Sequence, residues 1–388
     1  MTSRRYFDWN ATAPLRPQAH AAMAAALELA GNASSVHSEG RAARRLVEEA
    51  RAQVAALVGA EARNVIFTAG ATEANMLALT PALEAGGRKE PRDRLFVSAI
   101  EHPSVLSGGR FPADAVETLP VTADGIVDPD ALRAALARAE RPLVSVMLAN
   151  NETGAIQPVA AIADLVHAAN GILHVDAVQG AGRIGCDIAA LGADLVSLSS
   201  HKIGGPQGAG ALVRRADIHI AEPLIRGGGQ ERGYRAGTEN VAAIAGFGAA
   251  AAAAADARQT DVLRMAELRD HFEAALKAST PDVIIFSGAA ARLPNTTLFS
   301  VPGLKAETAI IAFDLNRIAV SSGAACSSGK VQTSHVLSAM GVEPALAAGA
   351  VRVSLGWTTT EDDIEAILNA WKNVSSSLLK ARQTYAAA

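Results

Sequence analysis

From about residue 17 the chain alternates two kinds of segment, and this alternation limits the folds open to it. Short apolar, β-rich runs recur: NVIFT (64–68), RLFVSAI (94–100), LVSVMLA (143–149), ILHVDAV (172–178) and DLVSLSS (194–200). Between them lie helical patterns such as DPDALRAALARA (128–139) and PVAAIADLVHAAN (158–170). Continuous apolar strands separated by helices predict a parallel sheet covered on both faces. Crossovers in such sheets are right-handed, and ligands bind beyond the carboxyl ends of the strands. The stretch SEGRAARRLVEEARAQVAALVGA predicts an amphipathic helix with Ser38 as N-cap and Gly59 just past its end.

A chain of 388 residues is long for one core, so two domains are expected. A long helical stretch runs from about residue 237 to Ser279. Beyond it VIIFSG, NTTLFSV, IAVSSG and VRVSLG suggest a smaller α+β unit. The expected division is residues 16–255 for the large α/β domain, with 1–15 and 256–388 forming the small one. Hydrophobic residues make up 49% and aromatics only 4%, so aliphatic side chains must fill the cores.

With 35 basic and 39 acidic residues the net charge is -4, which argues against a nucleic-acid footprint. The longest apolar run, 241–255, is mostly alanine and shorter than the ~20 residues of a membrane span. No apolar stretch follows Arg4 and Arg5, so a secretory signal is not expected and the reading is a cytoplasmic protein. No Cys/His spacing suggests a metal site.

Reactive groups stand at the strand ends. SLSSHK ends in His201 and Lys202, followed by a glycine-rich stretch. A lysine has a pKa of about 10.4 in water; partial burial near other cations lowers it and makes the amine a nucleophile. It could equally be an ordinary surface lysine. Asp176 closes ILHVD and Gln179 follows one turn later. Such a lysine and carboxylate are what a pyridoxal phosphate site needs, the first to bond the carbonyl and the second to keep the ring nitrogen charged. Asp176 could alternatively cap a helix. Gly70, Ala71 and Thr72 open a helix after a strand, where free N–H groups can cradle phosphate. His102 could lie over a ring or shuttle protons, or be a satisfied core histidine. Asn151 could bond a ring hydroxyl or a substrate carboxylate, or form a turn.

Taken in order, these pieces resemble the cysteine desulfurases of the NifS/IscS group, which are class-V aminotransferase-type, fold-type I pyridoxal-phosphate enzymes. The likeness runs through YFDWNATAP, GNASSVHSEGRAAR, GATEAN, EHPSV, NNETG, HVDAVQ, SSHKIGGPQGAGAL, GGGQERGYRAGTEN, SSGAACSSG and VRVSLG. It implies a mostly parallel seven-stranded sheet plus the smaller α+β domain, with pyridoxal 5'-phosphate as cofactor. It further implies that Lys202 bonds the cofactor, that Asp176 partners the pyridine nitrogen and that His102 stacks on the ring. Gln179 and Asn151 would flank the ring oxygen. Ala71, Thr72, Ser199 and His201 would hold the phosphate. Thr238 would reach the phosphate of a second subunit, implying a homodimer. Asn151 and Arg352 would bind the carboxylate of L-cysteine, a task that suits the guanidinium fork. Trp9, Ala13 and Ala33 depart from the family pattern, and Trp9 is expected to narrow the entrance.

Cys326 sits among small residues with no second cysteine nearby. By the resemblance it takes the substrate's sulfur as a persulfide and passes it to an acceptor such as an iron–sulfur scaffold protein, with alanine as the other product. The loop after it looks like the longer of two kinds in the family. A thiol of pKa about 8.5 needs a nearby base for this role. Cys186, beside apolar residues, is expected to be packing only.

Overall fold

The computed structural model describes residues 4–323 and 334–378. The predicted alternation folds into a seven-stranded sheet. In chain order its strands are β1 (Val65–Thr68), β2 (Arg94–Ser98), β3 (Val116–Leu119), β4 (Pro142–Met147), β5 (Ile172–Asp176), β6 (Leu195–Ser199) and β7 (Gly210–Arg214). Their spatial order is β1-β7-β6-β5-β4-β2-β3. All neighbours run parallel except β7, which is antiparallel to both β1 and β6. The central strands β4, β5 and β6 are buried at every position, which explains why they read as compact, largely apolar runs. Because β7 returns against the rest, its first residues lie at the same edge as the last residues of β1, β5 and β6.

Helices cover the sheet. The helix over Ser38–Leu57 buries Ala43, Val47, Ala50, Val54 and Ala55, one stripe at helical spacing. Its N-cap is His37, not Ser38: the His37 side chain accepts the Gly40 N–H, and Ser38 is already helical. Gly59 follows the helix at φ +64°, where an added Cβ would strike the Asp187 carboxylate.

The longest helix runs from Val241 to Ser279, capped by the Asn240 side chain on the Ala243 N–H. Its first half packs Ala243, Ile244, Phe247, Ala250, Ala251 and Ala254 into the core of the large sheet. Its second half gives Leu268, Phe272 and Leu276 to a separate core. This helix is long and apolar enough to cross a membrane by length and composition, contrary to the expectation from the 241–255 run alone. Half of that apolar window is buried within the fold.

The second core covers a four-stranded antiparallel sheet, in the order Ile284–Ile285, Thr296–Ser300, Val351–Ser354 and Ser321–Ser322. Trp371 fills its centre, edge-on to Phe299 at 5.3 Å, with its indole N–H donated to Thr280 Oγ1 at 2.8 Å. The start of the chain joins this unit: Arg5–Tyr6 pairs in parallel with Ile318–Ala319, and Asp8 bridges to Ser354.

One buried ion pair ties the large sheet to the segment before the long helix. Arg51 makes two bonds to Glu231, of 2.7 and 2.8 Å, and both side chains are almost fully buried. Glu231 also accepts the Phe67 N–H at 2.8 Å. Removing one partner strands the other charge without water. Glu231→Ala is therefore expected to lower unfolding stability by about 3–5 kcal/mol. A urea midpoint corresponding to less than about 1 kcal/mol, the level of a surface pair, would contradict this.

Candidate active site

β1, β2, β4, β5 and β6 deliver residues at or just beyond their ends, and β7 those just before its start, to one cavity of about 680 Å³, within the size range of small-molecule sites. β1 leads through Ala69 and Gly70 into the helix Ala71–Ala78. That helix has no side-chain cap at Gly70, and the first N–H groups of a helix lack intrahelical acceptors. Ala71 and Thr72 line the cavity there. Glu73 folds back to accept the Ala69 N–H at 2.9 Å and is held by Arg235, also at 2.9 Å. The start of β7 closes against this turn. A Cβ on Gly210 would lie 2.7 Å from the Gly70 Cα, so only glycine permits the approach.

Asp176 ends β5 with its carboxylate in place: Oδ1 accepts the Val178 N–H at 3.0 Å and Oδ2 accepts from Asn75 at 2.9 Å. It thus makes the local turn that a capping aspartate would make and also lines the cavity. Lys202 follows β6 in a short 3-10 turn, Ser200–Lys202. Its Nζ donates to the main-chain oxygens of Asn10 and Ala11, at 2.6 and 2.7 Å. His201 meets Thr12 Oγ1 at 3.1 Å. Burial, assisted by the Lys202 charge, pushes the His201 pKa down to about 4, so this imidazole is neutral.

The other predicted residues fall on the same walls. His102, Asn151, Gln179, Ser199 and Arg352 all line the cavity. Gln179 donates through Nε2 to the Asn10 oxygen at 3.0 Å and accepts from Arg183 at 2.5 Å. Arg352 comes from the centre of the small sheet and is almost fully buried. Its guanidinium donates to Asp8 at 2.6 Å and to the Asn151 main-chain oxygen at 3.0 Å. Its Nε–H has no acceptor among the described residues, which leaves the donor set incomplete.

Thr238 is exposed and does not line the cavity. Trp9 does not stand at the entrance as expected. It is buried edge-on against Trp357 at 4.7 Å, over Gly356, and donates its N–H to the Tyr6 oxygen. Apolar burial between the N-terminal segment and the small unit drew it inward. Cys326 and the loop after it lie outside the described residues. Cys186 is fully buried, its Sγ 3.4 Å from the Leu57 oxygen, and burial raises its pKa to about 11.

Several groups that build the site had not been singled out from the sequence. Asn75 holds Asp176, Ser104 holds His102, Arg183 holds Gln179 and Asp8 holds Arg352. Glu101 lies fully buried behind His102. Its Oε1 accepts from Ser98 Oγ at 2.5 Å and from the Met147 N–H at 2.7 Å, and burial raises its pKa to about 8. Asn75, Ser104, Glu101 and Asp8 each lie within a quoted motif and within one turn of a named residue, whereas Arg183 lies outside the quoted motifs.

Residues 5–367 match the family model described as aminotransferase class-V. The cysteine desulfurase IscS of Dictyoglomus turgidum is 40% identical over 377 residues, covering 96% of this chain and 95% of that protein. A NifS-like protein from Rickettsia africae, solved by X-ray crystallography, superimposes with a TM-score of 0.86 at 37% identity. The alignment covers 96% of this chain and 99% of that one. A structure of SspA in complex with cysteine superimposes with a TM-score of 0.76 at 28% identity, over 92% of this chain and 100% of that one. The chain belongs to the class-V aminotransferase family and, within it, to the cysteine desulfurases.

Proposed function

We propose that this protein is a pyridoxal-phosphate-dependent cysteine desulfurase that converts L-cysteine to L-alanine and transfers the sulfur through Cys326. The observation that carries the reading is the convergence of Asp176 and Lys202, from two adjacent strands of the large sheet, and Arg352, from the small sheet, on one cavity. The residues present fit the cofactor. An uncapped helix start at Ala71 and Thr72, with Ser199 and His201, offers donors for a phosphate. A Cβ built on Gly70 meets nothing within 4 Å, so this turn is open to a ligand. Asp176 offers a carboxylate for a ring nitrogen, Gln179 and Asn151 offer amides for a ring oxygen, and Lys202 offers the amine. The imidazole of His102 offers a face for stacking.

When bound, pyridoxal phosphate supplies an electron sink for the pair released as the substrate's Cα proton leaves. Arg352 and Asn151 orient the substrate carboxylate. The Lys202 amine is a base within the same cavity for the Cα proton. The Cys326 thiolate attacks the substrate Sγ, an Sγ–Sγ bond forms, and the substrate's Cβ–Sγ bond breaks. The carbon skeleton keeps that electron pair, takes a proton and leaves as alanine; the persulfide then passes to an acceptor such as an iron–sulfur scaffold protein. The solved relative holding cysteine supports this substrate. The proposal includes a cytoplasmic homodimer in which Thr238, exposed in the single chain, serves the partner's phosphate.

The test is product analysis with L-cysteine and a reductant, with sulfide and alanine expected in equal amounts. A keto acid formed with pyridoxamine phosphate would establish an aminotransferase instead. Arg352→Ala is expected to raise the half-saturating cysteine concentration roughly tenfold to a hundredfold with cofactor content unchanged, from loss of a charged hydrogen-bond partner. An unchanged concentration would remove Arg352 from the carboxylate site.

A further inference from the structure

His102 is held from one side in a way that settles its tautomer. The main-chain N–H of Ser104 donates to His102 Nδ1 at 3.2 Å. An amide N–H only donates, so this contact favours a lone pair on Nδ1, but at the long limit of hydrogen-bond distance it is too weak to fix the tautomer alone. Ser104 Oγ lies 2.8 Å from the same nitrogen. That hydroxyl accepts from Asn75 Nδ2 at 2.9 Å, which leaves its own hydrogen for Nδ1. The amide of Asn75 is oriented by Asp176, whose Oδ2 accepts from the same Nδ2 at 2.9 Å. The carboxylate oxygen accepts in this contact, so the amide nitrogen faces it. In keeping with that orientation, Asn75 Oδ1 has no partner among the described residues.

The direction therefore runs from Asn75 to Ser104 to His102, and the imidazole proton sits on Nε2. The ring lines the cavity, and among the described residues no hydrogen bond reaches Nε2. Burial works the same way. It holds the His102 pKa below the usual histidine value against the pull of Asp176, and the Lys202 and His335 charges add to the lowering.

We propose that Asn75 and Ser104 are positioning residues that lock His102 as the neutral Nε2–H tautomer, so that it enters the reaction as a donor at Nε2. Removal of the Cα proton then falls to Lys202. The catalytic consequence rests on the desulfurase reading, whereas the tautomer does not.

The test is ¹⁵N NMR of histidine-labelled protein, with cofactor bound and after its removal. His102→Gln identifies the relevant signal among nine histidines. The wild type at neutral pH is expected to show His102 protonated on Nε2 only. Ser104→Ala is expected to give a mixture of both tautomers, and Ser104→Thr, which keeps the hydroxyl, to restore the wild-type pattern. Asn75→Ala should give the same mixture as Ser104→Ala. The turnover number of Ser104→Ala should fall on the order of tenfold with little change in KM, short of the 10²–10⁴ expected for a whole acid–base group. A wild-type His102 protonated on Nδ1 or on both nitrogens would overturn the proposal, as would an unchanged spectrum in Ser104→Ala. Failure to form alanine with the expected spectrum would instead count against the desulfurase reading alone.

Discussion

Lys202→Ala is expected to abolish alanine formation from L-cysteine and to lose covalently held cofactor. On the proposed reading two roles vanish together: the amine that bonds the cofactor carbonyl and a base for the Cα proton. Loss of the proton-transfer role alone costs on the order of 10²–10⁴ in rate. The fold should survive. The acceptors that Nζ uses, the oxygens of Asn10 and Ala11, border the cavity and can turn to water instead. The variant should still bind pyridoxal phosphate reversibly through Asp176, Thr72 and His201. The measurement is borohydride reduction of the wild type followed by peptide mass analysis, with alanine assays on the variant. Cofactor fixed to a different lysine, or turnover within tenfold of wild type, would remove Lys202 from the centre of the site.

An effect of similar size is expected at Cys326. Cys326→Ala should bind cofactor and L-cysteine as the wild type does, because Lys202, Asp176 and Arg352 are untouched. It should release no alanine, since a methyl group cannot attack Sγ. Cys186→Ala is the matched control. That thiol is buried and its pKa is raised to about 11, so it is neither accessible nor ionised at neutral pH. Its loss should cost ~1 to 2 kcal/mol of stability and leave sulfur transfer near normal. After exposure to L-cysteine, the wild type should gain the mass of one sulfur on the peptide holding Cys326 and none on that holding Cys186. A persulfide on Cys186, or normal alanine release by Cys326→Ala, would place the sulfur carrier elsewhere.

Much of the site was legible because strand ends are local. Apolar runs ending in Asp176, in His201 and Lys202, and just before His102 and Asn151 mark where a buried strand reaches the sheet edge. A polar group directly after such a run has few places to go. The alternation of strands and helices likewise determined the parallel sheet and the edge where ligands bind. Single local choices remained open. Ser38 and His37 are both able to cap the same helix, and the chain turned one residue earlier.

What tertiary structure alone decided are the contacts between parts far apart in sequence. Asp8 meets Arg352 across 344 positions, Arg51 meets Glu231 across 180, and Asn75 meets Asp176 across 101. Trp9 could have lined the entrance by its place in the chain, but packing against Trp357 buries it. The physical reason is that a motif records which groups a strand end presents, whereas their partners depend on strand order. The antiparallel β7 brings Gly210 against Gly70, and the small sheet carries Arg352 back to the N-terminal segment. Such pairings follow from burying two separate cores at once, a condition on the whole chain that no short stretch of it contains.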